Sequence, residues 1–398
     1  MTLTGCARVP AGPAQSAAET VNNDDADVGA LRPGNYPTQP RPSRGRAESK
    51  SAGARYEGQR MAAKLVGPWE VDPTLTRVIS INTAPLESAS ALWVDFPKTV
   101  RDIAAKHGYL TGFSSSRGAA LGAPTRFLTN AVLRFPYEEA ASSAATAMAA
   151  EQMRVWPDNP AVASSIPGRA GSIALARSGI GVNGQPTAVV QAFTSHGPYV
   201  LYQWVELEDG SGDDATALVA RTLDLALPRI DAFHPTEAQN FANLPTDPLD
   251  LLSRTLPPEA HEVSHPAMGS YPPAAALHFE TDPTASSRLF EAAGVDAVAM
   301  TNNVVYRTRD SEAAQLIADL AARQFSSGAT NDRRTAPVPG LSKSQCFDRR
   351  TDDVTMRSAQ LQFYCVATAG NYAFKTSSQQ LGDAHQRAAA QYLLLVAP

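Results

Sequence analysis

Five consecutive residues carry the sharpest chemical pattern in the chain: His261, Glu262, Val263, Ser264 and His265 read H-E-x-x-H. On a helix that spacing puts both imidazoles on one face to hold zinc, with the glutamate beside a zinc-bound water as general base. Third ligands stand nearby at His278, Glu280 and Glu291. The setting works against a helix. Pro257 and Pro258 lie just before the motif, and Pro266 directly follows His265 and disfavours the helical conformation there. The longer pattern with a third histidine also fails, because Met268 and Tyr271 stand where glycine and histidine are needed. A polar loop is therefore the leading reading, with a zinc-dependent hydrolase at 261–265 as the alternative. No catalytic residue, resident metal or other cofactor is expected.

Other patterns dissolve on similar grounds. Gly179, Gly181 and Gly184 satisfy G-x-G-x-x-G, but a dinucleotide site needs a strand before it and a helix after it. Here Asn183-Gly184 signals a hairpin turn and Thr187 to Val190 read as the returning strand. Ser195 and His196 are adjacent, so on a strand they point to opposite faces and cannot share a proton. The carboxylate pairs Asp213-Asp214 and Asp352-Asp353 fall in turn-like stretches.

Cysteine chemistry points to a compartment. Leu3, Thr4, Gly5 and Cys6 form a lipobox-like run in which the Cys6 thiol would receive a diacylglyceryl group and hold the protein to a leaflet. A signal peptide places a basic region and about 7 to 15 apolar residues before its cleavage site. Only Met1 and Thr2 precede the box, so the signal peptide is expected to be missing or truncated. The chain has three cysteines, and lipid on Cys6 leaves Cys346 and Cys365 as an even pair. Both lie in strand-like surroundings, which suits a disulfide in an oxidising compartment; two buried thiols are the alternative.

Composition bounds the rest. The 398 residues have a net charge of -5, and no window shows the basic stripe that nucleic acid requires. No apolar run approaches the roughly 18 residues of a membrane span. Residues 7–30 are rich in Ala, Pro, Ser, Asn and Asp without hydrophobic period and read as a disordered tether after the lipobox. Arg41, Arg44 and Arg46 follow in a solvated run.

The elements that would position any site come next. Val78, Ile79 and Ile81 read as a short strand, and Val100, Ile103 and Ala104 share one helical face that Gly108 would end in a left-handed conformation. His107, in the last turn, reads as a partner for the helix dipole. The alanine-rich helix of 138–154 presents a narrow packing face. Two stretches match each other at a constant offset of 173: Val132, Arg134, Glu139, Ala140, Ala141, Ala145 and Ala149 correspond to Val305, Arg307, Glu312, Ala313, Ala314, Ala318 and Ala322. The same offset takes Gly197 and Tyr199 onto Gly370 and Tyr372, in turns between β-rich runs. Helices then close each half, through Val219, Leu223, Ala226 and Ile230, and through Ala389, Tyr392, Leu393 and Val396. The pattern predicts an α+β protein by internal duplication, each half an antiparallel sheet with helices on one face. The domains are then 1–30, 31–240 and 241–398, with the break in the proline-rich stretch 234–248.

The segment Leu31 to Thr38, Gly67-Pro68-Trp69, the run Gln345-Cys346-Phe347-Asp348 and the lipobox together resemble a family of actinobacterial, mycobacterial-type envelope lipoproteins with a two-part domain of unknown function. The resemblance covers about residues 31–398 and implies a secreted protein, lipid-anchored on the extracytoplasmic face of the cell membrane. It implies no catalytic residues. The expected role is a non-catalytic ligand-binding or structural module of the envelope. Trp204, Tyr199, Tyr202, Tyr364 and Tyr372 are candidates to line a cleft for an apolar or envelope ligand.

Overall fold

The architecture comes from a computed structural model that describes residues 26–42, 45–120, 122–181, 183–258, 267–326, 333–351 and 360–398. The first half contributes β1 (Arg77–Val78), β2 (Ala84–Pro85), β3 (Thr111–Gly118), β4 (Arg126–Arg134), β5 (Val162–Ser164), β6 (Ser172–Ile180), β7 (Pro186–His196) and β8 (Tyr199–Leu207). Its sheet runs β1-β3-β4-β8-β7-β6-β5, with β2 also paired to β3. The second half contributes β9 (Gly269–Tyr271), β10 (Ala297–Met300), β11 (Val304–Arg307), β12 (Arg333–Thr335), β13 (Gln345–Thr351), β14 (Gln360–Ala369) and β15 (Tyr372–Ser378). Its sheet runs β12-β13-β14-β15-β11-β10-β9, and every pairing in both sheets is antiparallel.

The two orders are one topology written twice, so the duplication read from the sequence holds. Its hinge points are the turns at Gly197 and Gly370, which take φ of 49° and 56°. His196 pairs with Tyr199 and Ala369 with Tyr372, so each turn is a two-residue hairpin with glycine in the first central position, where φ is positive. The offset of 173 carries β4 onto β11 and β8 onto β15. It breaks upstream: Gly108 and Gly294, both left-handed helix ends, lie farther apart than that offset. The difference sits in one hairpin. Thr111 pairs with Arg134 in the first half and Ala297 with Arg307 in the second, so the β3–β4 hairpin encloses far more chain than its counterpart β10–β11.

Helices are α1 (Lys50–Ala62), α2 (Pro68–Val71), α3 (Lys98–Lys106), α4 (Glu138–Gln152), α5 (Gly212–Asp231), α6 (Pro273–Ala276), α7 (Pro283–Ala293), α8 (Ser311–Ser326) and α9 (Leu381–Val396). Sequence dictates several ends: Ser211 and Asp214 form a capping box on α5, Asp282 caps α7, and Gly108 follows α3 at φ 79°. The α+β class and the two related halves stand, while the placing of helices on one face alone is corrected. In β8, Leu201 and Val205 pack with Leu218, Val219 and Leu223 of α5, whereas Val200 and Tyr202 pack with Ala141, Ala144 and Met148 of α4. Alternate residues point to opposite faces, so α4 and α5 cover opposite sides. The physical reason is in the strands: residues 199–205 are apolar at nearly every position, which requires cover on both faces.

The halves share one core. Residues of α5 and β8 lie in the same cluster as Phe290, Val298, Tyr306, Ala313 and Ile317 of the second half. Helix α1 wedges between them: Gly53 lies against Phe241, Gly58 against β3, and Gln59 Nε2 donates to Met268 O at 2.8 Å. Within the stretch read as tether, residues 26–30 are ordered against the second half, Ala26 bridging Leu341 ahead of a short 3-10 helix at Val28–Ala30. Leu31 is buried in the second half's core, and Tyr36 OH donates to Asp383 Oδ1 at 2.6 Å. Cys6 and the rest of the tether lie outside the described residues.

Candidate functional site

The long β3–β4 hairpin and the incomplete cover of the first sheet together make a cleft. Helix α4 lies over the part of β6, β7 and β8 nearest Ala131, Leu133 and Tyr202. Further along the same face, Phe127, Thr129, Trp204 and Glu206 line open space that no α-helix among the described residues fills. Residues 119–120 and 122–125 of the hairpin loop, Arg77, Ile79 and Asn82, and Val94 and Asp95 at the end of a 3-10 turn close around that strip. The result is a cleft of about 490 Å³ with Ile79, Val94, Phe127, Ile180 and Trp204 as its apolar walls.

Its polar groups are few and specific. The Trp204 indole Nε1 is buried and has no hydrogen-bond partner among the described residues, a donor held ready in an apolar wall. Asp95 is buried beneath the same cleft, with Oδ1 accepting from Asn82 Nδ2 at 2.8 Å. Burial pushes its carboxyl up to about 6, against the opposing hydrogen bond from Asn82. Thr129 bonds Ser116 at 2.6 Å, Glu206 accepts from Thr187 at 3.0 Å, and Arg126 is held by Asp72 at 2.8 Å. The Arg177 guanidinium lies 5.0 Å from the Trp156 ring and 5.9 Å from the Trp204 ring, fixing the outer side of the Trp204 wall by cation–π contact. Ile81 and Trp93, next in sequence to the lining residues Asn82 and Val94, are exposed.

Of the aromatic residues expected to line a cleft, Trp204 does so. Tyr199 and Tyr202 are buried in the core on opposite faces of the sheet, and Tyr364 and Tyr372 belong to the second sheet. The H-E-x-x-H residues His261, Glu262 and His265 lie outside the described residues. Two of the three third ligands suggested for them, His278 and Glu280, are otherwise engaged. His278 is buried with Nε2 on Ala62 O at 3.0 Å and Nδ1 on Ser115 Oγ at 2.8 Å, and burial pushes its pKa down to about 4. Glu280 accepts from Tyr306 and Ser286, and Glu291 is exposed on α7. His196 pairs with Asp231 at 2.6 Å rather than with Ser195. Gly184, at φ 80°, turns the chain from β6 into β7, so the glycine motif is a hairpin. Cys346 and Cys365 form a disulfide across β13 and β14.

Arg77, Asn82, Asp95 and the loop 119–126 carried no motif. The signal that marks them is the break in the repeat offset: extra chain in one copy of a duplicated hairpin, where the other copy turns at Thr301 to Asn303.

Family models account for both halves. The N-terminal part of the domain of unknown function DUF7373 matches residues 44–246, and its C-terminal part matches residues 251–397. The chain belongs to this family. The cleft thus lies within the N-terminal part of the DUF7373 pair and the disulfide within the C-terminal part. No curated protein matches the chain. Among solved structures, the extracellular domain of PknH from Mycobacterium tuberculosis is similar at 14% identity and a TM-score of 0.31, over 42% of this chain and 95% of that one. DynU16, from the dynemicin biosynthetic locus, gives 10% identity and a TM-score of 0.11 over 80% and 94%.

Proposed function

We propose that this protein is a non-catalytic ligand-binding module of an actinobacterial cell envelope, held to the extracytoplasmic face of the membrane by lipid on Cys6. The observation that carries the binding role is the cleft: five apolar walls, one unpaired buried indole N–H and one buried carboxyl converging on about 490 Å³. That combination of apolar lining with a few placed polar groups suits a small amphipathic molecule with a hydrogen-bond acceptor for Trp204 and a hydroxyl for Asp95. The lining threonines bond Ser116 and Asn183 rather than a base, which supports binding over chemistry. The Cys346–Cys365 disulfide favours an oxidising compartment. Among the described residues no helix is long and apolar enough to cross a membrane, so the lipid would be the attachment.

The test is native mass spectrometry of the full chain after incubation with an actinobacterial envelope lipid extract. Wild type should retain one amphipathic ligand, and Val94→Trp, which fills the cleft, should retain none. Equal retention by both would overturn the assignment of the cleft.

A further inference from the structure

The two halves differ in the second sheet's chemistry as well as in the first sheet's hairpin. Where the first sheet pairs Ala174 with Ala192, the second pairs Cys346 with Cys365. The duplicated fold therefore closes without sulfur, and the disulfide is an addition to it. The same register row continues outward to Thr335 on one side and Thr376 on the other, and residues in register across neighbouring strands share a face. Helix α9 lies on that face, held by Thr376 Oγ1, which donates to Ala384 O, and the next residue is His385. A histidine nitrogen and both sulfurs lie within 4.8 Å of one another.

We infer that reduction of Cys346–Cys365 converts this spot into a Cys2His site for a zinc-like cation, with His385 as the third ligand. A backbone carbonyl already holds the His385 ring. Its Nε2–H donates to Ala336 O at 3.0 Å, which leaves the lone pair on Nδ1, the tautomer arrangement seen when a backbone carbonyl orients a metal-bound histidine. Zinc–sulfur bonds of about 2.3 Å and zinc–nitrogen bonds of about 2.0 Å in a tetrahedron put donor atoms roughly 3.5 to 3.8 Å apart. The sulfurs must therefore move apart once the S–S bond opens, and the histidine nitrogen starts within 4.8 Å of both. A fourth position has a polar neighbour: Thr335 Oγ1 is buried and makes no hydrogen bond. The cysteines are 1% and 0% exposed, but a cavity of about 490 Å³ reaches Cys346 and Thr335 between Pro337 and Ser344, giving a path for reductant and ion.

The chemistry balances with a dithiol as reductant. Its two sulfurs give two electrons to the Cys346–Cys365 bond and leave as a cyclic disulfide, and their protons end on the cysteines. Binding Zn2+ then releases both cysteine protons to solvent, because the ligands are thiolates. In the disulfide form the sulfurs carry no charge and the site takes no ion, so the bond acts as the gate.

The full chain carrying Cys6→Ser, which removes the unrelated thiol, tests this with cobalt(II) as the probe. After dithiol treatment and its removal without air, one cobalt per chain should bind, with the near-ultraviolet charge-transfer band of thiolate ligation and its displacement by zinc. The untreated disulfide form should show no band, and His385→Ala should weaken cobalt binding by at least about tenfold in the reduced form. Near-ultraviolet dichroism follows the fold in the same samples. No cobalt band after reduction, an unchanged affinity in His385→Ala, or a fold lost on reduction and not restored by metal would each overturn the inference.

Discussion

At the scale of single residues, Asp95 sets the clearest expectation. Burial holds its carboxyl near 6, so it changes charge within an ordinary buffer range. A ligand hydroxyl that donates to it is bound best by the ionised form. Affinity measured by titration calorimetry should therefore rise between pH 5 and pH 7.5, with a midpoint near 6, and Asp95→Asn should flatten the profile. His278 makes the complementary statement about stability. Its folded pKa, about 4, lies below the ordinary 6.5, so the unfolded chain takes the proton more readily. The stability it contributes is complete above about pH 6.5 and is lost as pH falls toward 4, on the order of 3 kcal/mol at 1.4 kcal/mol per unit. In urea melts, His278→Gln should show a shallower loss across that window than wild type. Neither residue announced its role in sequence: each is isolated among apolar neighbours, and only tertiary burial gives it a shifted proton affinity.

At the scale of elements, helix α1 shows why part of the fold escaped the sequence. Its buried positions include Gly53, Glu57, Gly58 and Gln59, so no hydrophobic period marks it. The glycines are there for closeness: a Cβ on Gly58 would lie 2.5 Å from Gly112 O. Gly58→Ala should therefore destabilise the chain by roughly 1 to 3 kcal/mol despite its better helix propensity, read as a lowered urea midpoint. Glu57, fully buried, is held by Arg134 at 2.8 Å and by the Thr236 amide, which pins α1 to the first sheet. The paired halves were legible because β4 with α4, and β7 with β8, keep the same spacing as their counterparts. The cleft was not, because it depends on what α4 leaves uncovered. Replacing the loop between Gly118 and Phe127 with a two-residue turn, which keeps Arg117, should abolish ligand binding while leaving a cooperative thermal transition.

At the scale of the whole molecule, Arg117 fastens one half to the other. It is fully buried on β3, stacks at 4.7 Å on Trp69, and donates to Thr76 O and, across the seam, to the carbonyls of Leu277, His278 and Glu280. A guanidinium reaches these four carbonyls because its donors form a fixed planar fork, and an ammonium cannot. Arg117→Lys should cost about 3 to 5 kcal/mol in chemical unfolding and lower the cooperativity between halves. The two family domains share a common core: α5 of the first half and α7 and α8 of the second bury their apolar faces in a single cluster.

The most direct test of the cleft is a crystal structure of the full chain purified from its native cells with whatever it carries. Density for one amphipathic molecule is expected between Phe127 and Trp204, with an acceptor within hydrogen-bond reach of Trp204 Nε1 and a hydroxyl on Asp95. A ligand seated elsewhere, such as the cavity of about 720 Å³ beside Trp69 and Arg229, with the cleft holding only solvent, would contradict it.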